Sequence, residues 1–266
     1  MENRNSSVPL AVITGAPARP VASRTKILLE APVLPTLLRL SAPNVLNLLA
    51  IAGMITFDGL FIGRLGADAL AGVSLVFPWV MFMQHAAASG MGGAVSSAIA
   101  RSLGAGQRDR ADALASHALA LAIVMAAATS AIMLLCGPFL FRLMGGQGAV
   151  LTAALAYSNV VFCGAVSVWA LNILANVVRG TGNMGLPAFV IVGSVLAHVL
   201  LSSALIFGWG PMPALGPAGA GWGLVVSFGV GSIVLLAYLR STAALVTPAF
   251  RGVTLQWKLF AEILKV

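Results

Sequence analysis

An all-α integral membrane protein with six transmembrane helices is the fold class this sequence predicts, and three observations predict it. Of 266 residues, 59% are hydrophobic and only 8% are charged, with a mean hydropathy of +1.00; an ordinary soluble domain is about one quarter charged. The charges are clumped, leaving uncharged windows at 69–100, 113–141, 143–178 and 180–239. Each is long enough to cross a hydrocarbon core of about 30 Å, the last of them twice. No apolar/polar alternation of roughly ten residues recurs, which sets aside a membrane barrel.

The first span is placed at 37–63, an almost wholly apolar run between Arg39 and Arg64 whose one charge is Asp58. The others follow at 70–100, 114–136, 151–178, 186–208 and 218–239. Ahead of them, residues 1–36 carry Pro9, Pro17, Pro20, Pro32 and Pro35 among scattered basic residues and read as a disordered cytoplasmic tail. The apolar stretch 10–13 within it is too short for a signal-peptide core. Residues 37–240 are thus the transmembrane body, and 241–266 read as a cytoplasmic linker.

Lysine and arginine bias orients the body with its amino terminus inside. That choice places thirteen of fifteen basic residues on the cytoplasmic side, including Arg101, Arg108 and Arg110 between the second and third spans, Arg179 after the fourth and Arg240 after the sixth; only Arg64 and Arg142 face out. The net charge of +8 is therefore a topological signal that suits anionic lipid headgroups, and no dense basic patch with aromatics points to nucleic acid. Cys136 and Cys163 lack metal-site or CxxC spacing and read as buried packing residues.

Small residues allow helices to approach in lipid, where no hydrophobic drive pulls them together. Ala86, Gly90, Ala94 and Ala98 in the second span, and Gly219, Gly223, Ser227 and Gly231 in the sixth, recur every fourth residue and predict two smooth helix faces. Pro43 and Pro78 lie inside spans, where each removes a hydrogen-bond donor and predicts a kink.

A carboxylate inside a span is costly unless it is protonated, paired or wetted, and such residues usually line a transport pathway. Asp58 therefore carries the functional reading, against the alternative that it pairs with a backbone group or with Arg64. Pro43 shares its helix fifteen residues earlier, about 22 Å toward the cytoplasmic end. A bend there that answers to the charge state of Asp58 is the mechanical expectation. Gln84 and His85 are further polar residues at mid-span that could both face the same cavity, with no motif to tie them to it.

These residues and their order carry a family resemblance. The acidic residue stands just before FIGRLGADALAGVSLVFP (61–78); ARSLGAGQRDRADA (100–113) and VVRGTGN (177–183) occupy the two cytoplasmic loops; ALIFGWGPMPALGPAGAGWG (204–223) joins the fifth and sixth spans. Over most of 37–266 the chain resembles the amino-terminal lobe of MATE (multidrug and toxic compound extrusion) transporters. The resemblance implies one six-helix lobe of a twelve-helix, two-lobe pseudo-symmetric transporter. It also implies that EILKV (262–266) is the start of a second, truncated lobe, with the missing lobe or a second copy of the chain as partner.

Carried over position by position, the resemblance puts the first-lobe acidic residue on Asp58 and a polar pocket residue on Asn172. In the fifth span it puts His198 and Ser202 where family members with proton coupling carry an asparagine and an aspartate. Loss of that aspartate puts the cation site in doubt. A sodium ion would draw oxygens from Asp58, Asn172 and Ser202, whereas a proton needs only Asp58, desolvated, with His198 beside it. Simpler readings stand alongside: His198 as a satisfied core histidine, and Asn172 with Asn176 as interhelical hydrogen-bond formers.

The function expected is secondary antiport at the plasma membrane, exporting amphipathic organic cations in exchange for protons or sodium ions, with no cofactor. The alternatives are a lipid-linked oligosaccharide flippase of the same superfamily or a remnant that transports nothing. A flippase cavity wants cations for pyrophosphate, and the predicted membrane interior offers no lysine or arginine. An enzymatic reading of His198 and Ser202, four residues apart, lacks any nucleophile elbow or oxyanion-hole element.

Overall fold

The computed structural model describes residues 33–241 and 244–248, with side chains described from Ser41 onward except at Pro43 and Asn44. The amino-terminal tail expected at 1–36 lies outside these residues but for its last four, which belong to the first helix. The expected linker and second-lobe start likewise lie outside them, except for 241 and 244–248. Two units divide at Ala42, and all packing below concerns the larger one, Pro43–Val266.

Every regular element among the described residues is helical: α1 (Val33–Gly63), α2 (Ala67–His85), a π-helical turn (Ala86–Met91), α3 (Gly92–Gly104), α4 (Arg108–Leu143), α5 (Gly148–Cys163), α6 (Ala165–Gly180), α7 (Gly185–Phe207) and α8 (Pro217–Leu239). Five helices are long and apolar enough to cross a membrane, counting α2 through α3 as one. The pair α5 and α6, bent by 49°, makes a sixth. The turns at LGAG and RGTGN close through Gly106 (φ 74°) and Gly182 (φ 83°), a backbone region open to glycine without strain.

The fourth span thus departs from the single helix expected over 151–178. Gly164 is the break: a Cβ there would run into the side chain of Val225 on α8, so the absent side chain lets α8 reach the backbone where the helix turns. α4 also exceeds its expected bounds of 114–136, because its polar first turns remain helical beyond the apolar window.

The predicted ridge on the second span is interrupted. Ala94 and Ala98 are buried but Gly90 is exposed, because the π turn shifts the helical register between them. The close approach falls instead at Gly92, where a Cβ would meet the Asn176 amide of α6. Asn176 Nδ2 donates to the Ala88 carbonyl at 3.0 Å, satisfying an acceptor inside the wide turn. On α8 the predicted face is continuous: Gly219, Gly223, Ser227 and Gly231 are all buried, and three of them abut α7 at Leu205, Ser202 and Ser194.

The outward surface is apolar, with Phe82 72%, Leu135 81%, Phe189 73% and Leu200 72% exposed. Residues of this kind need lipid rather than water around them. Cys136 and Cys163 are part of this exposed surface, correcting the expectation that they pack in the interior.

Candidate functional site

α7 presents His198 and Ser202 one turn apart on its inner face, and α1 presents Asp58 toward them. His198 Nε2 lies 2.9 Å from one oxygen of Asp58 and 3.0 Å from the other. Ser202 Oγ donates to the first oxygen at a longer 3.5 Å. His198 is 1% and Asp58 19% exposed, so the pair sits in an apolar setting with one side of the carboxylate open.

Close packing behind the pair holds α7 in place. A Cβ at Gly223 would lie 2.9 Å from Ser202 Cα, and one at Gly219 would lie 2.6 Å from the Leu205 carbonyl. Glycine is thus what lets α8 press its backbone against α7 and fix the face that carries His198 and Ser202.

α1 is held more lightly. Its buried line is Asn47, Met54 and Ile62, while Leu48 and Leu49 are 68% and 65% exposed. Among the described residues, Asp58 makes the side-chain hydrogen bonds that join α1 to another helix. One turn on, Phe61 meets Phe207 of α7 edge-on at 6.0 Å, and Phe207 stacks with Trp209 at 6.3 Å.

The chemistry of the pair follows from its hydrogen-bond count. With one shared proton, the Nε2–H group faces both carboxylate oxygens. Nδ1 of His198 is buried without a partner; as a bare lone pair it is tolerable. A second proton changes that: on Nδ1 it makes an unpaired buried donor, and on Asp58 it sets donor against donor and removes the charge that strengthens the contact.

The other expected site residues fall elsewhere. Asn172 does not join the Asp58 contacts: its amide donates to the Val168 carbonyl of its own helix at 2.9 Å, the local bond an asparagine one turn on can make. Position 43 lies within α1, fifteen residues before Asp58. The partners of Asp58 are two α7 side chains rather than Arg64. No group of three or more His, Cys, Asp or Glu side chains suited to a metal occurs among the described residues.

Asp58 also opens on a cavity of about 230 Å³ between α1 and α2, closed at the back by Tyr157 of α5 and Leu224 of α8. Met54, Phe77, Val80 and Met81 make its apolar walls, and Gln84 contributes an amide whose Nε2 is buried without a hydrogen-bond partner. Of the two polar mid-span residues, Gln84 faces the cavity, while His85 is exposed and bonds the Met81 carbonyl.

The MatE family model matches residues 43–203. Over 73% of its length the chain is 33% identical to a Shewanella oneidensis protein named as an FAD transporter, covering 42% of that protein. It is 30% identical over 75% to a probable multidrug resistance protein NorM of Thermotoga maritima (43% covered), and 28% identical over 78% to the multidrug resistance protein PmpM of Pseudomonas aeruginosa (43% covered). The chain thus spans about two fifths of these relatives. Among solved structures, a MOP superfamily transporter from Pyrococcus furiosus aligns over 86% of this chain and 50% of its own, at 29% identity and a TM-score of 0.77. A multidrug resistance MATE family transporter in its outward-facing conformation aligns with the same figures.

Proposed function

From the premise that this chain belongs to the MatE family of membrane transporters, we propose that it works in a proton-coupled antiporter that exports amphipathic organic cations, with Asp58 and His198 as the coupling pair. One observation carries the reading: the contact of His198 Nε2 with both oxygens of Asp58, at 2.9 and 3.0 Å.

That contact favours a proton over sodium. A sodium ion needs several oxygens around it, yet the imidazole nitrogen sits where such an ion would bridge the carboxylate. Proton uptake at Asp58 breaks the pair that ties α1 to α7. Because α1 has little else polar to hold it, the helix is then free to bend toward Pro43. Protonation also removes the charge that holds the cation, which leaves the cavity; release of the proton to the opposite side then restores the carboxylate and the contact. Rocking of one lobe against another around a central site is a general scheme for transporters built of repeats.

The relatives named for multidrug resistance support an organic cargo. The relative named for FAD suggests a second one, a dinucleotide. A dinucleotide carries phosphates, and the cavity lining offers one carboxylate and no lysine or arginine. That chemistry favours the cation, and it weighs equally against a pyrophosphate-linked sugar. The membrane is read as the plasma membrane with the amino terminus inside.

The test is efflux of ethidium from cells without their own pumps, under an imposed proton or sodium gradient, for the chain and for Asp58→Asn. Efflux driven by protons and lost in the variant is expected. Efflux that follows sodium alone, or that survives the substitution, overturns the coupling assignment.

A further inference from the structure

Four polar side chains line the cavity beside Asp58: Asp58 itself, Ser74, Gln84 and Tyr157. Ser74 Oγ donates to the Leu70 carbonyl, and Gln84 is the one of the four with a buried polar atom left without a partner. Gln84 is the penultimate residue of α2, two residues before the backbone widens into the π turn at Ala86. Its side chain lines the same cavity as Asp58, between walls of Met54, Phe77 and Met81, and its Nε2 is buried without a hydrogen-bond partner. An amide in an apolar wall is costly to keep unless something bonds it, since folded proteins in general pair nearly all such groups.

The π turn gives a reason why Gln84 rather than His85 looks inward. Neighbouring helical residues point about 100° apart. His85 bonds back to the Met81 carbonyl and lies on the exposed side, leaving Gln84 on the cavity side. Just beyond, Asn176 of α6 bonds the Ala88 carbonyl inside the π turn.

We infer that Gln84 determines selectivity for the cargo: the cavity between α1 and α2 recognises cations that also carry a hydrogen-bond acceptor, the cationic end meeting Asp58 and the acceptor meeting the Gln84 amide. This rests on the cation-export reading above and narrows it to a ligand class. Apolar walls and methionines accept flat ring systems of varied outline, and the amide adds the directional contact that such walls lack. A cation without an acceptor binds by charge and shape alone and is indifferent to the residue at 84.

Two probes separate these contributions. Rhodamine 6G is a cation with an ester carbonyl; tetraphenylphosphonium is a cation with no hydrogen-bonding group. Binding of each to the purified full chain in lipid nanodiscs is measured for the unchanged protein, for Gln84→Met, which keeps the volume, and for Asp58→Asn. Gln84→Met is expected to weaken rhodamine 6G by about three- to tenfold, the worth of one hydrogen bond, and to leave tetraphenylphosphonium within about twofold. Retained tetraphenylphosphonium binding also shows that the variant is folded.

Equal weakening of both probes by Gln84→Met, or no change in either, overturns the selectivity role and leaves the cation reading standing. Asp58→Asn is expected to weaken both. If Asp58→Asn changes neither, or if the unchanged chain binds neither probe, the cation reading itself falls and this inference with it.

Discussion

His198 Nε2 stands within 3.0 Å of both carboxylate oxygens of Asp58, across 140 residues of sequence, and the pair bridges the most lightly held helix to one of the most closely packed. α7 is clamped by glycines of α8, whereas α1 leans on Asp58 and on the edge of Phe61. A switch works best between such unequal partners, because breaking one contact moves the loose element and leaves the firm one as a reference.

Replacing His198 with alanine leaves the Asp58 carboxylate in an apolar setting with only the long 3.5 Å bond from Ser202 Oγ. Breaking a buried pair from one side costs about 3–5 kcal/mol when it is fully enclosed. Asp58 keeps 19% exposure, so a smaller loss of about 2 kcal/mol is expected here. Thermal unfolding in detergent should show the deficit at neutral pH. A variant as stable as the unchanged chain contradicts the pairing.

Gly223→Ala is expected to destabilise by about 1–3 kcal/mol through overpacking, because the new methyl carbon would fall 2.9 Å from Ser202 Cα and both neighbours there are backbone-bound. Gly53→Ala, with nothing within 4 Å of the new carbon, should be neutral or slightly stabilising, as alanine is the better helix former. The two variants compared in one unfolding assay separate a steric effect from a general intolerance of change in the lobe.

Gly92 and Asn176 should show coupled effects. Asn176→Ala removes the donor to the Ala88 carbonyl and is expected to cost about 1–2 kcal/mol. Gly92→Ala adds a methyl that runs into the Asn176 amide. In the double variant that amide is gone, so the combined loss should be smaller than the sum of the two. Simple additivity would mean that the amide does not fill the space beside the π turn.

Much of this lobe was legible in the sequence, and for a simple reason. Hydropathy and clumped charge respond to lipid, which acts uniformly along a span, so the six spans could be placed within several residues. Asp58 stood out as a lone charge in an apolar run, and the four-residue step from His198 to Ser202 put both on one face. Long-range contacts were what escaped. The break at Gly164 exists because Val225, sixty-one residues away, packs against that backbone. The π turn takes a hydrogen bond from Asn176 of α6, and nothing within 86–91 announces it. Gln84 and His85 were both visible as polar, but the 100° that separates them on a helix is decided by tertiary packing. Asn172 was expected in the pocket and instead satisfies its amide on its own helix.

Beyond α8 the chain folds back against the start of α4. Ala244 and Val246 are 6% and 0% exposed, and two hydrogen bonds hold the segment: Arg108 Nη2 donates to the Ala244 carbonyl at 3.3 Å, and the Thr247 amide donates to Asp112 Oδ1 at 2.7 Å. The second bond ends on a carboxylate and is short, which marks it as the stronger. Asp112→Ala should therefore speed hydrogen exchange at the Thr247 amide by about tenfold, the worth of roughly 1.5 kcal/mol for a bond to a charged group. Amides in the middle of α7, which share no bond with the strap, should exchange at their former rate. Arg108→Ala is expected to act more weakly, since it removes the longer bond and leaves the Thr247 contact in place. Unchanged exchange at Thr247 in Asp112→Ala would mean that burial of Val246 alone holds the segment down.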